Sequence, residues 1–170
     1  MTDERFPLVD ADGAVIGSAW RSECHGNPAL LHPVVHCIVV NAAGEMLLQR
    51  RSHSKKIQPG KWDTAVGGHV GVGESIESAL RREVAEEIGL NLETVASRFL
   101  YRYNMVNDIE SELVHTYVCE SDGPFRPQAS EVDELRFWPL EKIRAKLGTG
   151  VFTPNFEDEF ERYRAVVKAE

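Results

Sequence analysis

Residues 68–90 read Gly68-His69-Val70-Gly71-Val72-Gly73-Glu74-Ser75-Ile76-Glu77-Ser78-Ala79-Leu80-Arg81-Arg82-Glu83-Val84-Ala85-Glu86-Glu87-Ile88-Gly89-Leu90. Three glycines break up the opening. Good helix formers then run from Glu74 to Ile88, and Gly89 stands where a helix takes its C-terminal glycine stop. The stretch predicts a glycine loop feeding a helix over residues 74–88. At about 100° per residue, Glu83 and Glu87 fall within about 20° of Ile76, on the side defined by Ala79 and Leu80. Glu86 sits on the shoulder of that side, and Ser78, Arg81 and Ala85 lie opposite. The inward face therefore turns from apolar to acidic partway along the helix.

Three carboxylates at i, i+3 and i+4 on a partly buried face repel one another and lose hydration. A hard divalent cation such as Mg²⁺, or Mn²⁺, resolves both costs, because it prefers oxygen ligands and also binds diphosphate oxygens. The plain alternative is a solvated acidic face with Glu77, Arg81 and Arg82 in helical ion pairs.

Outward from the helix, the pattern is mostly strand. Trp62 to Val70 precedes it, and Val34–Val40 and Glu45–Arg51 form a hairpin through Asn41-Ala42-Ala43-Gly44. Near the N-terminus, Leu8-Val9-Asp10 and Val15-Ile16-Gly17 flank an Ala11-Asp12-Gly13 turn. The Gly- and Pro-punctuated segment from Ser22 to Pro33 reads as a loop, and Ser52 to Lys61 as turn-rich. Beyond the helix, strands are expected at Ala96–Tyr103, Glu110–Cys119 and Leu135–Trp138. Helices are expected to start near Leu140 and Pro154. Mixed strands around one strongly marked helix indicate an α/β layered fold in a single domain over residues 1–170.

The chain has 170 residues with a formal charge of −8. That acidic balance argues against a nucleic-acid polymer or an anionic membrane as partner, since phosphate affinity needs clustered Lys and Arg. A small phosphorylated substrate stays open, because a metal can supply the positive charge. Cys24, Cys37 and Cys119 are odd in number and widely spaced, as expected of reduced thiols in a cytoplasmic protein. No apolar run approaches the roughly 20 residues that span a bilayer.

Gly68, then five residues, Glu74, then seven residues and Arg82-Glu83-Val84-Ala85-Glu86-Glu87-Ile88-Gly89-Leu90 resemble a complete Nudix box. With the Trp138-Pro139-Leu140-Glu141-Lys142 stretch, the resemblance covers roughly residues 6 to 150. It implies an α/β/α sandwich with a mixed sheet and a central catalytic loop-helix. It also implies metal-dependent hydrolysis of a nucleoside diphosphate derivative or a related small-molecule diphosphate. By position, Glu83, Glu86 and Glu87 would hold Mg²⁺ or Mn²⁺ with the Gly68 carbonyl. Arg82 would orient the carboxylates, and Glu74 would be structural at the loop-helix junction. The box does not assign the general base; Glu83, Glu131 and Glu134 are candidates.

Residues outside the box resemble one divergent branch of the family, the isopentenyl-diphosphate isomerases. These are Leu47-Leu48-Gln49-Arg50-Arg51-Ser52, Lys55-Lys56, Pro59-Gly60-Lys61-Trp62 and Gly68-His69, with the early hairpin and the His25 to His32 segment. The resemblance implies a second metal site, suited to Zn²⁺ or Mn²⁺, at His25, His32, His69, Glu110 and Glu112. It implies diphosphate contacts at Arg51 and Lys55, with Arg21 as a further candidate.

Two departures oppose isomerase chemistry. The isomerase's catalytic cysteine position is Gly67 here, and the acidic residues Glu83 and Glu86, which the isomerase's degenerate box lacks, are present. The favoured expectation is therefore a Nudix pyrophosphohydrolase. An isomerase and a non-catalytic nucleotide sensor are the alternatives. On their own patterns, Arg50, Arg51, Lys55 and Lys56 read equally well as a solvated charge run, and Trp62 reads as core. His36, alternating with Val34 and Ile38, reads as a satisfied core residue, His53 as a surface residue and His115 as a strand-face residue. Nothing in the sequence indicates the oligomeric state.

Overall fold

A computed structural model describes residues 2–170. In chain order the elements are β1 (Arg5–Val9), β2 (Val15–Trp20), α1 (Arg21–Cys24), β3 (Leu31–Val40), β4 (Met46–Arg51), β5 (Trp62–Thr64), β6 (Val66–His69), α2 (Ile76–Ile88), β7 (Ser97–Val106), β8 (Ser111–Glu120), β9 (Val132–Trp138), α3 (Leu140–Lys146) and α4 (Pro154–Ala169).

The larger sheet is mixed. Its path runs β5-β4-β3-β8-β7, with β6 added on β3 and β9 on β4. Only the β3–β8 pairing is parallel; the other strand pairs are antiparallel. The strand period of two sorts β3 and β4 between the two faces. Val35, Cys37, Val39 and Leu47 pack with Ala79, Leu80, Val84 and Ile88 of α2. Ile38, Met46 and Leu48 pack on the other side with Ile143 of α3 and Phe156 and Phe160 of α4. One helix on one face and two on the other make an α/β/α sandwich. The β1–β2 hairpin is a separate two-stranded sheet, anchored by Phe6, Ala19 and Cys24.

Several boundaries differ from the sequence reading. The helix starts at Ile76, because Ser75 caps it through its hydroxyl and Glu74 turns back to Arg82. Val84 and Ile88 share the fully buried face of α2, so Glu83 and Glu87 lie on its flank and not at its centre. The strand expected over residues 62–70 breaks at Ala65, since β5 pairs with β4 while β6 pairs with β3. The expected loop to Pro33 instead holds α1, and β3 begins at Leu31. Pro33 is tolerated there, pairing with Leu113 and accepting from Val70 N through its carbonyl. Glu110 precedes β8, in a turn closed by Asn107. Strand β9 begins at Val132, earlier than the expected Leu135, and so takes in Glu134.

Candidate functional site

A cavity of about 970 Å³ opens between β6, the start of α2 and the N-terminal hairpin, and Glu83, Glu86 and Glu87 all face it. Gly68 lets Glu83 approach the strand: a Cβ at residue 68 would stand 2.0 Å from Glu83 Cδ. Gln49 Nε2 and the Gly67 amide each donate to Glu87 Oε2 at 3.3 Å. Arg82 ties the group together. Its Nε and Nη2 grip Glu74 at 2.8 and 2.9 Å, Nη1 donates to Glu83 at 2.7 Å, and Nη2 also reaches the His69 carbonyl at 3.0 Å.

Electrostatics follow from that crowding. Burial, reinforced by the neighbouring Glu83 charge, pushes the Glu87 carboxyl up to about 8. Burial also raises Glu83, partly offset by Arg82. Glu74, gripped by Arg82, is lowered. Two desolvated carboxylates that resist ionising together, beside the exposed Glu86, are a donor set that a hard divalent cation suits.

The second cluster is assembled by strand pairing. His32 and Glu112 are direct neighbours across β3 and β8, and His69 lies opposite Val34 across β3 and β6. His25 caps the C-terminus of α1, and Glu110 enters from the turn before β8. Donor atoms of His25, His32, His69 and Glu110 all lie within 4.8 Å of one another. Glu112 Oε1 stands 3.8 Å from His69 Nε2. Phe6 stacks on His69 at 4.3 Å between centroids and holds its ring.

His32 Nδ1 donates to the Leu30 carbonyl at 3.0 Å, which leaves Nε2 as the free donor atom. Among the described residues, His32 Nε2 and Glu110 Oε2 are buried without hydrogen-bond partners. Burial lowers the pKa of all three imidazoles, favouring the neutral form that ligates metals. Burial raises Glu110, and burial with the Glu110 charge raises Glu112 to about 7. Neutral imidazoles with orphaned buried donors fit Zn²⁺ or Mn²⁺.

Arg21, Arg51 and Lys55 line the same cavity, as does Glu131. Arg21 pairs with Glu4 at 2.9 Å. Arg51 donates to the Ile57 carbonyl and stands 3.7 Å from Asp63, while Lys55 is in an ion pair with Glu131. Glu134 is instead engaged by Arg50 and Arg136. Trp62 is buried against Trp138. His53 is an exposed partner of Asp133, and His115 is a part-buried strand residue near the Val34 carbonyl.

His36 departs from the expected core role. It lines the cavity, and its Nδ1 is held by Glu159 of α4 at 3.2 Å. Asp63 and Asn155, which the sequence did not single out, share the cavity wall. No local pattern marks His36, because the register that sets it opposite Gly67 is a strand pairing and its partner Glu159 is 123 residues away.

The NUDIX domain family model matches residues 30–160. The chain is 36% identical over 137 residues to the isopentenyl-diphosphate Δ-isomerase of Kocuria rhizophila, covering 78% of this chain and 76% of that one. It is 34% identical over 160 residues to the Citrobacter koseri protein of that name, covering 91% and 88%. Among solved structures, DR0079 from Deinococcus radiodurans is similar with a TM-score of 0.82 at 25% identity, over 94% of this chain and 98% of that one. The MutT protein of Methanosarcina mazei is similar with a TM-score of 0.69 at 28% identity, over 84% and 97%.

Proposed function

The chain belongs to the Nudix family, and within it we propose a metal-dependent pyrophosphohydrolase that cleaves a diphosphate linkage in a nucleoside diphosphate derivative or related organic diphosphate. The observation that carries this reading is the full set of box carboxylates on a cavity wall where Gly67 offers no thiol. Gly68 through its carbonyl, with Glu83, Glu86 and Glu87, would hold Mg²⁺ or Mn²⁺. When bound, that ion supplies charge neutralisation at the phosphoryl oxygens and acidifies water.

The protein's own groups do the rest. Arg82 holds Glu83 in place, and Arg21, Arg51 and Lys55 bind the diphosphate. Glu131 accepts a proton from the attacking water once the substrate draws Lys55 away from it. His25, His32, His69, Glu110 and Glu112 would hold Zn²⁺ or Mn²⁺ in a structural role. The three free, buried cysteines suit a reducing, cytoplasmic setting.

An isomerase is the second reading, favoured by the names of the relatives and by the His/Glu cluster. Protonating a carbon–carbon double bond and deprotonating the opposite side needs a group on each face of the allylic unit, and Gly67 removes one of them.

The two readings separate in one pair of assays. Hydrolysis of a compound in a diphosphate library with Mg²⁺ or Mn²⁺, with both products identified as the phosphorylated halves of the cleaved linkage, is the outcome expected. Incubation with isopentenyl diphosphate and Mg²⁺ in D₂O is expected to give no deuterated dimethylallyl product. Efficient deuterium incorporation would overturn the hydrolase reading. Binding of diphosphates without turnover across the whole library would replace it with a sensor.

A further inference from the structure

His36 and Gly67 stand directly opposite each other across β3 and β6. A Cβ added to Gly67 would meet His36 Cδ2 at 3.3 Å and Nε2 at 3.4 Å. The Nε2 edge of the ring therefore borders the open side of an exposed glycine, within the cavity. The amide of that glycine is bonded to Glu87 of the box. His36 thus sits across Gly67 from the carboxylate helix.

The other edge of the ring is fixed from behind. Glu159 Oε1 accepts from His36 Nδ1 at 3.2 Å and from Thr116 Oγ1 at 2.9 Å, and its Oε2 accepts from Tyr101 OH at 2.9 Å. Glu159 is 1% exposed. A carboxylate buried this deeply in a helix, on the apolar face of α4, is costly unless its oxygens are satisfied and its charge is met. Among the described residues, His36 is the one cation bonded to it. Nδ1 must carry its hydrogen toward Glu159, and the charge of that buried carboxylate holds the ring as imidazolium, so Nε2 carries a hydrogen as well. That Nε2–H has no hydrogen-bond partner among the described residues and borders the cavity at Gly67. Rings held this way by a second-layer carboxylate are preorganised to act on a ligand.

We propose that His36 is a substrate-binding residue whose Nε2–H donates a hydrogen bond to an anionic oxygen of the bound diphosphate, with Glu159 as its positioning residue. The proposal rests on the diphosphate reading above. It assigns the wall vacated at Gly67 to an imidazole reaching in from β3, anchored by a helix on the far side of the sheet. A charge-assisted donor in such a position is worth about a tenfold or greater change in affinity.

Imidodiphosphate with Mg²⁺ is the probe, read by titration calorimetry. His36→Asn keeps an amide N–H near the Nδ1 position, and so the Glu159 contact, but loses the donor facing the cavity. His36→Gln does the reverse. His36→Asn is expected to weaken binding about tenfold or more, and His36→Gln to weaken it less. Wild-type affinity in His36→Asn, or the opposite order of losses, would overturn the assignment. In the unaltered protein, the His36 Nε2–H resonance is expected to shift on saturation with the probe, which keeps the test independent of variant folding. An unmoved resonance at saturation overturns it as well. If imidodiphosphate fails to bind the wild-type protein at all, the diphosphate reading falls and takes the proposal with it.

Discussion

Arg82 Nη2 donates to the His69 carbonyl at 3.0 Å while the same guanidinium grips Glu74 and Glu83. One side chain thus joins the box carboxylates to the strand that carries an imidazole of the second cluster. The planar fork makes this possible, since it presents several donors in fixed directions and a lysine does not. Arg82→Lys is expected to lower turnover about 10–100-fold, the usual cost of losing a residue that orients ligands. KM is expected to change little. Initial rates on an identified substrate, with circular dichroism to confirm the fold, check this.

Glu83→Gln and Glu87→Gln are each expected to cut turnover by about a thousandfold or more, because a neutral amide is a poor ligand for a hard cation. Neither is expected to lower Tm without metal, since burial disfavours both charges in the native protein. Turnover near wild type in either variant would remove the carboxylates from the site.

His36 gives stability a defined pH dependence. Burial pulls its pKa down, but the hydrogen bond and charge of Glu159 prevail, with Glu112 of β8 and Asp63 of β5 adding to them, and raise it from 6.5 to about 8. Tyr101 of β7 faces the same carboxylate as a neutral donor. A raised folded-state value means the stabilisation is fully present below pH 6.5 and is lost as pH rises through about 8. Relative to His36→Asn, which does not titrate there, the wild-type protein is expected to lose about 2 kcal/mol across that window. Urea unfolding at either end of the window measures it. A pH-independent difference between the two proteins would refute the pairing.

Metal analysis of protein purified without a histidine tag tests the second cluster. The wild-type protein is expected to retain close to one equivalent of Zn²⁺ or Mn²⁺ and to lose thermal stability on chelation. The His25→Ala/His69→Ala variant is expected to show neither. Equal metal content and equal Tm in the two proteins would eliminate the site.

Periodicity and spacing along the chain were enough to determine the loop, the helix stop at Gly89, the acidic stripe and the α/β layering. Each of these depends on residues within a few turns or one strand of each other, where local geometry dictates the outcome. His32 and Pro33 mark the limit of that logic. Proline reads as loop punctuation, yet pairing with β8 drew both into a buried strand. Val84 shows a subtler limit, since the wheel locates an inward side but only packing against β3 decides which residues fill its middle. Tertiary structure alone brought His25, His69 and Glu110 to one point, and turned His36 from an apolar strand position into a cavity residue held by Glu159. Those contacts join residues 41 to 123 positions apart, and they exist only because burying both faces of one sheet forces distant segments together.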